Sequence, residues 1–303
     1  MIHTAKQLKD KISNLSKATG QKNDVLLRRY AMERLLERIA LSPYRDNFIL
    51  KGGMLVSAMV GISDRVTMDI DTTIRGLPLT ESDIERILQE IASIPLDDNI
   101  QFRFKKTTSI MEEAEYGGIR VSMDALLQNM IIPLKVDIST GDSITPHELQ
   151  FSYRLMFEDR AINVMAYPLE NVLAEKIHAV VTKGVSNTRM RDFYDIHILR
   201  HAFQTEIDAG ILKMAVEATF ANRDSSNQMK NAGAVLDDIQ KNREMQERWR
   251  GFQSEYEYAR MFWWMDVVHS TRRLCVEAGL LEQETLVSEV KKPGIRRGDQ
   301  GAR

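Results

Sequence analysis

Residues 48–73 read FILKGGMLVSAMVGISDRVTMDIDTT, and the rest of the chain is interpreted outward from this stretch. Phe48, Ile49 and Leu50 form a brief apolar run expected as a buried strand. Lys51-Gly52-Gly53 breaks it before a helix-like segment over 54–59. Paired glycines can simply turn a chain, but they also let backbone approach a ligand closely, and N–H groups opening a helix can hold a phosphate. In 67–74, Met68, Ile70 and Ile74 alternate with Asp69, Asp71 and Thr73, the period of a strand with one buried face. Asp69 and Asp71 therefore point the same way. Two such carboxylates with no adjacent Lys or Arg call for a cation, and Mg2+ suits them because it binds a few carboxylates together with its own waters and substrate phosphates.

A third acid stands in a similar setting. In IIPLKVDIS, residues 131–139, Asp137 is the sole acid of an apolar strand, where an unpaired buried carboxylate is costly. Either this strand lies beside the first and Asp137 completes a three-carboxylate site, or Asp137 pairs with Lys135 two residues away on the same face. Further strands are expected over 100–105, 117–123 and 161–165, and helices over 5–18, 24–40, from Thr80 to about Ile94, and 169–182. Glu175, Lys176 and His178 flank the apolar stripe of the last of these helices, where a lysine commonly just snorkels. In RMRDFYDI, residues 189–196, Asp192 and Asp195 share a helix face.

The remainder, 206–290, is expected to be helical throughout. Trp249, Phe252, Tyr256, Ala259 and Trp263 recur at steps of three and four, expected as one buried helical stripe, with an RNA-stacking platform as the alternative. The segment after Val290 is basic and Gly-rich and is expected to be disordered. The domain expectation is a core with N-terminal helices over 1–165, a helical domain over 166–290 and a tail over 291–303.

With 43% hydrophobic and 28% charged residues the chain has the composition of a globular protein of one or two domains. It has no apolar run near the roughly 20 residues that cross a bilayer and no apolar signal core at the start, so the expectation is a cytoplasmic protein with no membrane partner. The single Cys275 excludes an internal disulfide and a cysteine-based zinc site. Residues 1–50 carry ten Lys/Arg against five Asp/Glu, whereas 66–99 carry two against eight. A basic face that includes Arg28, Arg29, Arg34 and Arg38 beside an acidic site would suit a phosphate-rich substrate; solvated helix faces are the alternative.

Gly52-Gly53 followed by Asp69-Ile70-Asp71 resembles the nucleotidyltransferase superfamily of DNA polymerase β type. More closely, LKGGMLVSAMVG, RVTMDID, LAEKIHAV and RMRDFYDI, in this order, resemble the AbiEii/AbiGii toxin family of type IV toxin–antitoxin and abortive-infection systems. The resemblance spans roughly residues 25–200. One departure is that the superfamily's Gly-Ser is here Gly53-Met54, with a longer gap to Asp69, so a serine hydroxyl is missing. The resemblance implies an α/β (α+β) polymerase β-like nucleotidyltransferase core with a mixed sheet, followed by an all-helical region. It implies a metal-dependent nucleotidyltransferase toxin with Asp69, Asp71 and Asp137 holding two Mg2+ ions. Lys51, Gly52, Gly53, Lys176 and Asp195 would bind the NTP. Asp192 would be the acid of the fourth motif, with Asp195 close behind. The implied partners are an NTP, an RNA acceptor at the tRNA 3′ end, and an antitoxin encoded nearby. Alternatives are a phospho- or nucleotidyltransferase acting on a protein, and a non-catalytic nucleotide or RNA binder.

Overall fold

The computed structural model describes residues 2–61, 65–110 and 117–282; the expected tail over 291–303 lies outside them. Helices α1 (Ala5–Thr19) and α2 (Asn23–Leu41) lead into β1 (Phe48–Lys51), α3 (Gly52–Val60), β2 (Ile70–Ile74) and α4 (Glu81–Ala92). Five strands follow: β3 (Gln101–Ile110), β4 (Gly118–Leu127), β5 (Met130–Thr140), β6 (Leu149–Arg154) and β7 (Ala161–Ala166). The chain then becomes helical through α5 (Leu169–Lys183), α6 (Met190–Ala202), α7 (Ala209–Asn222), α8 (Ala232–Lys241), α9 (Arg243–Glu255) and α10 (Trp264–Glu277).

The strands form one mixed sheet in the order β3-β4-β5-β2-β1-β7-β6. The inner strand β1 is antiparallel to β2 and parallel to β7, and β2 is parallel to β5. In β5 the residues Ile132, Leu134, Val136 and Ile138 are buried and alternate with exposed or half-buried neighbours, so one face packs on the core. The expected strand over 67–74 is pared to β2, with Thr67 to Asp69 in the approach loop. Strand β6 has no counterpart in the sequence reading, although Leu149, Phe151 and Tyr153 alternate with polar residues along it; of these only Tyr153 is fully buried.

Helix α2 corrects the expected basic face. Arg29, Arg34 and Arg38 are buried beneath the sheet, so neither a docking face nor solvated surface describes them. Arg38 donates to both oxygens of the fully buried Asp98 at 2.8 and 2.9 Å and to the carbonyls of Ile94 and Ile100. Glu33 accepts from Arg29, from the Tyr153 hydroxyl and from the Met156 N–H. Arg34 pairs with Glu37 and Glu158. Desolvated charges persist inside a protein when opposite charges and hydrogen bonds are supplied, as they are fully for Arg38 and only in part for Arg34, whose Nε and Nη2 have no hydrogen-bond partner among the described residues.

The aromatic stripe also divides. Helix α9 ends at Glu255, a 3-10 turn covers Glu257–Ala259, and Trp263 caps α10. Trp249, Phe252 and Ala259 are core, whereas Trp263 is 78% exposed. Cys275 is buried, and burial pushes its thiol up to about 12, which leaves it an apolar filler. No helix among the described residues is long and apolar enough to cross a membrane.

Candidate active site

Sheet register brings the singled-out residues together. Lys51 lies opposite Asp71, Asp71 opposite Asp137, and Asp137 opposite Arg120, so β1, β2, β5 and β4 contribute one cross-strand row. In-register neighbours on a sheet share a face, and this row reads cation, acid, acid, cation. Its ends are tied off. Lys51 Nζ donates to Asp142 Oδ2 at 2.6 Å, and Arg120 donates to both Asp137 oxygens at 2.7 and 2.5 Å. The expected alternative partner of Asp137, Lys135, is therefore replaced by an arginine on the neighbouring strand.

Asp71 and Asp69, unlike Asp137, have no cationic side chain bound to their carboxylates among the described residues, and burial weighs against their ionisation. Burial, reinforced by the Asp137 charge, raises Asp71 from its ordinary 3.8 to about 6. Burial and then Asp137 also raise Asp69, which sits just before β2. Asp142 goes the other way: burial opposes its ionisation, but Lys51 and hydrogen bonds from Ser139 and Tyr167 hold it at about 2. Burial would lower Lys51, but Glu175 and Asp142 more than offset it, so its ammonium stays charged.

The glycine pair fits this geometry. Gly52 has φ +62°, where side chains are strained, and a Cβ there would lie 2.2 Å from Asp71 Oδ2. The Gly53 N–H donates to the same oxygen at 3.2 Å, so one N–H expected to face a phosphate is turned to Asp71. A Cβ on Gly53 would meet Thr67 Oγ1 at 2.6 Å.

Lining one cleft of about 820 Å³ together with the row are residues of α5, α6 and α9 and their flanks. Lys176 sits at the cleft wall with its side chain 11% exposed, donating to Asp195 at 2.6 Å and to Asp192 at 3.4 Å. Burial would lower its pKa, but Asp195 and Asp192 outweigh it and raise it. The two acids of the fourth motif are not equivalent. Asp195 is sealed, off the cleft lining, and held by Arg65 Nε at 2.8 Å as well as by Lys176; these cations keep it ionised despite burial. Asp192 lines the cleft, and its Oδ2 has no hydrogen-bond partner among the described residues. Asp195 thus holds Lys176 from behind, and of the two acids only Asp192 borders the cleft.

Arg189, Arg191, Arg223 and Arg248 also line this wall, and the sequence reading assigned a site role to none of them. Arg191 and Arg189 lay inside a quoted motif, but Arg223 and Arg248 come from segments read only as helix. Glu175 accepts from Arg223 at 3.3 Å and lies 3.8 Å from Lys51, linking the two sides of the cleft.

Residues 34–266 match the family model of the nucleotidyl transferase AbiEii toxin of type IV toxin–antitoxin systems. The chain belongs to the AbiEii family. It is accordingly a nucleotidyltransferase of the toxin–antitoxin class, and the family implies an antitoxin partner. Among solved structures it is similar to JHP933 from Helicobacter pylori, with TM-score 0.50 and 14% identity over 86% of this chain and 92% of that one, which shows a shared α/β fold. A nucleotidyltransferase-like antigenic protein from Paracoccidioides brasiliensis is more distant, with TM-score 0.37 and 13% identity over 67% of this chain and 92% of that one. No curated protein sequence matches the chain.

Proposed function

We propose that this toxin transfers a nucleotidyl group from an NTP to a hydroxyl of RNA, the 3′ end of tRNA, in the cytoplasm, and that its antitoxin is encoded nearby. The observation that carries the reading is that Asp69, Asp71 and Asp137 line one cleft together with Lys176, Arg189, Arg191, Arg223 and Arg248. Acids and cations in one cleft suit a reaction at the α-phosphate in which the outgoing pyrophosphate is held by the cations.

The donor set fits Mg2+. It offers carboxylate oxygens only, and burial, with the Asp137 charge second, raises Asp71 to about 6, a cost of ionisation that a bound cation would offset. Among the described residues no three acidic, histidine or cysteine side chains already converge as a metal cage, and Arg120 holds both Asp137 oxygens. Arg120 is 38% exposed in its side chain and would have to release Asp137 for that acid to ligate a metal, and substrate phosphates complete the oxygen set of such ions. Asp69, Asp71 and Asp137 would hold the metal, which supplies charge neutralisation at the α-phosphate and lowers the pKa of the attacking hydroxyl.

The chain's own groups would act as follows. Asp137, released by Arg120, accepts the proton of the acceptor hydroxyl. The new bond joins that oxygen to the α-phosphorus while the bond from the α-phosphorus to the bridging oxygen of the β-phosphate breaks, and pyrophosphate leaves against Lys176 and the arginines. Gly52 keeps the backbone close to Asp71, and Asp195 holds Lys176 in place.

The test is incubation of the purified protein, free of antitoxin, with each α-labelled NTP and total cellular RNA. Label on tRNA that needs Mg2+ and is lost in Asp71→Ala is expected. Label on protein instead would overturn the RNA acceptor, and no transfer with any NTP would overturn the reading as a whole.

A further inference from the structure

Next to the acid cleft lies a second chamber of about 1040 Å³, between the α1–α2 connection, α6 and the segment from Glu255 to Phe262. Its volume is at the upper end of the range for small-molecule sites. Arg191, Glu255 and Tyr256 line both cavities, so the two share a wall. Arg191 also stacks on the Tyr256 ring at 4.8 Å.

The chamber is distinguished by a continuous series of rings. Tyr256 stacks on Tyr258 at 5.4 Å between centroids, Tyr258 meets Tyr194 at 4.8 Å, and Tyr194 meets Phe262 at 5.9 Å. Phe262 then meets His197 at 4.5 Å, and His197 meets His201 at 4.5 Å. All six rings line the cavity. Burial, followed by the neighbouring His201, pushes His197 down to about 4, so its ring is neutral at physiological pH. The Tyr258 hydroxyl is buried and makes no hydrogen bond among the described residues. Beyond Phe262, Met261 at 75% and Trp263 at 78% exposure carry the apolar surface out to solvent.

We infer that this aromatic chamber seats an unpaired base of the RNA acceptor, which would bring the adjoining ribose to the shared Arg191–Tyr256 wall of the acid cleft. The inference rests on the nucleotidyl transfer proposed above. Proteins that hold single-stranded nucleic acid stack its bases on aromatic side chains, because every base has a π-face. The charge around the chamber argues against the triphosphate as occupant. Lys22, Arg191 and Arg260 are matched by Asp24, Glu255 and Glu257, so the lining offers no net charge to a polyanion but suits a neutral ring.

The experiment uses fluorescein-labelled single-stranded RNA tetramers of A, C, G and U, read by anisotropy with the full chain and no NTP. Two variants are compared with wild type. Ala202→Trp fills the chamber from an exposed position on α6, and Tyr258→Phe removes only the unpartnered hydroxyl. Wild type is expected to bind at least one tetramer, and Ala202→Trp to weaken it about tenfold, the loss of one base–aromatic stack. Tyr258→Phe should reduce the preference among the four bases while keeping the fold. NTP affinity should be equal in all three proteins. Equal tetramer binding by wild type and Ala202→Trp, or no binding by wild type, overturns the inference. Nucleotide transfer to protein without tetramer binding also overturns it and assigns the chamber to a peptide. Failure of wild type to bind any NTP is a separate readout and refutes the proposed function instead.

Discussion

Replacing Asp71 with asparagine should abolish transfer and, at the same time, make the metal-free protein more stable. The carboxylate is in register with Asp137 and is partly buried, and its pKa is moved from 3.8 to about 6. A carboxyl whose folded pKa lies above its unfolded value costs stability once ionised, and this shift corresponds to about 3 kcal/mol above pH 6. The sign follows from proton binding: between about 4 and 6 the folded state holds more protons than the unfolded state, so wild type loses stability as pH rises through that window. Asparagine keeps the acceptor for the Gly53 N–H and carries no charge. The variant should therefore exceed wild type by about 3 kcal/mol at pH 7.5 and by only about 1.5 kcal/mol at pH 5. Urea unfolding in EDTA at both pH values reads the difference. Repeating it with Mg2+ should narrow the gap, because a bound cation stabilises wild type alone. An Asp71→Asn protein no more stable than wild type at pH 7.5 without metal would refute the claim that ionised Asp71 costs stability.

Other outcomes follow from the same geometry. Lys176→Met should lower kcat/KM for NTP by about 100-fold, the loss of a charged contact made in the transition state, and steady-state kinetics measure it. Arg120→Met frees both Asp137 oxygens and should tighten Mn2+ binding, followed by electron paramagnetic resonance, by up to about fivefold, the discounted value of a part-exposed ion pair. Weaker binding would mean that Arg120 supports the metal site instead of competing with it. Arg38→Met strands Asp98 in the core and should cost about 3–5 kcal/mol in urea unfolding; a loss under about 1 kcal/mol would show that the pair contributes little.

Much of the site was legible because its parts are local patterns. The glycine turn, the alternation around Asp69 and Asp71, and a lone acid in an apolar strand are each visible within a few residues. Their partners were not. That Arg120 lies opposite Asp137 is a matter of strand register across β4 and β5, which no short window encodes. The arginines of α2 carried no sign of burial, because Arg29 and Arg34 pair one turn away with Glu33 and Glu37 as on a solvated helix face, while Asp98 and Glu158 lie far along the chain. Strand β6 was legible but not read: Leu149, Phe151 and Tyr153 alternate with Gln150, Ser152 and Arg154 in the period of a strand with one buried face. The steps of three and four from Trp249 to Trp263 read as one helix, yet the chain turns at Tyr256, and periodicity alone does not detect such a break.

The charged row also sets a timetable for toxicity. Its members are all synthesised by residue 137, whereas the other cations of the cleft arrive between Lys176 and Arg248. At about 5–20 residues per second, a ribosome completes the acidic half several seconds before Arg248 exists. During that interval the emerging chain carries its acids without the residues from α5, α6 and α9 that line the rest of the cleft, so under the proposed function an unfinished toxin lacks the groups that would hold pyrophosphate. Chains arrested before Arg248 should transfer no nucleotide, and an antitoxin that recognised the half-built sheet could act before the poison is made.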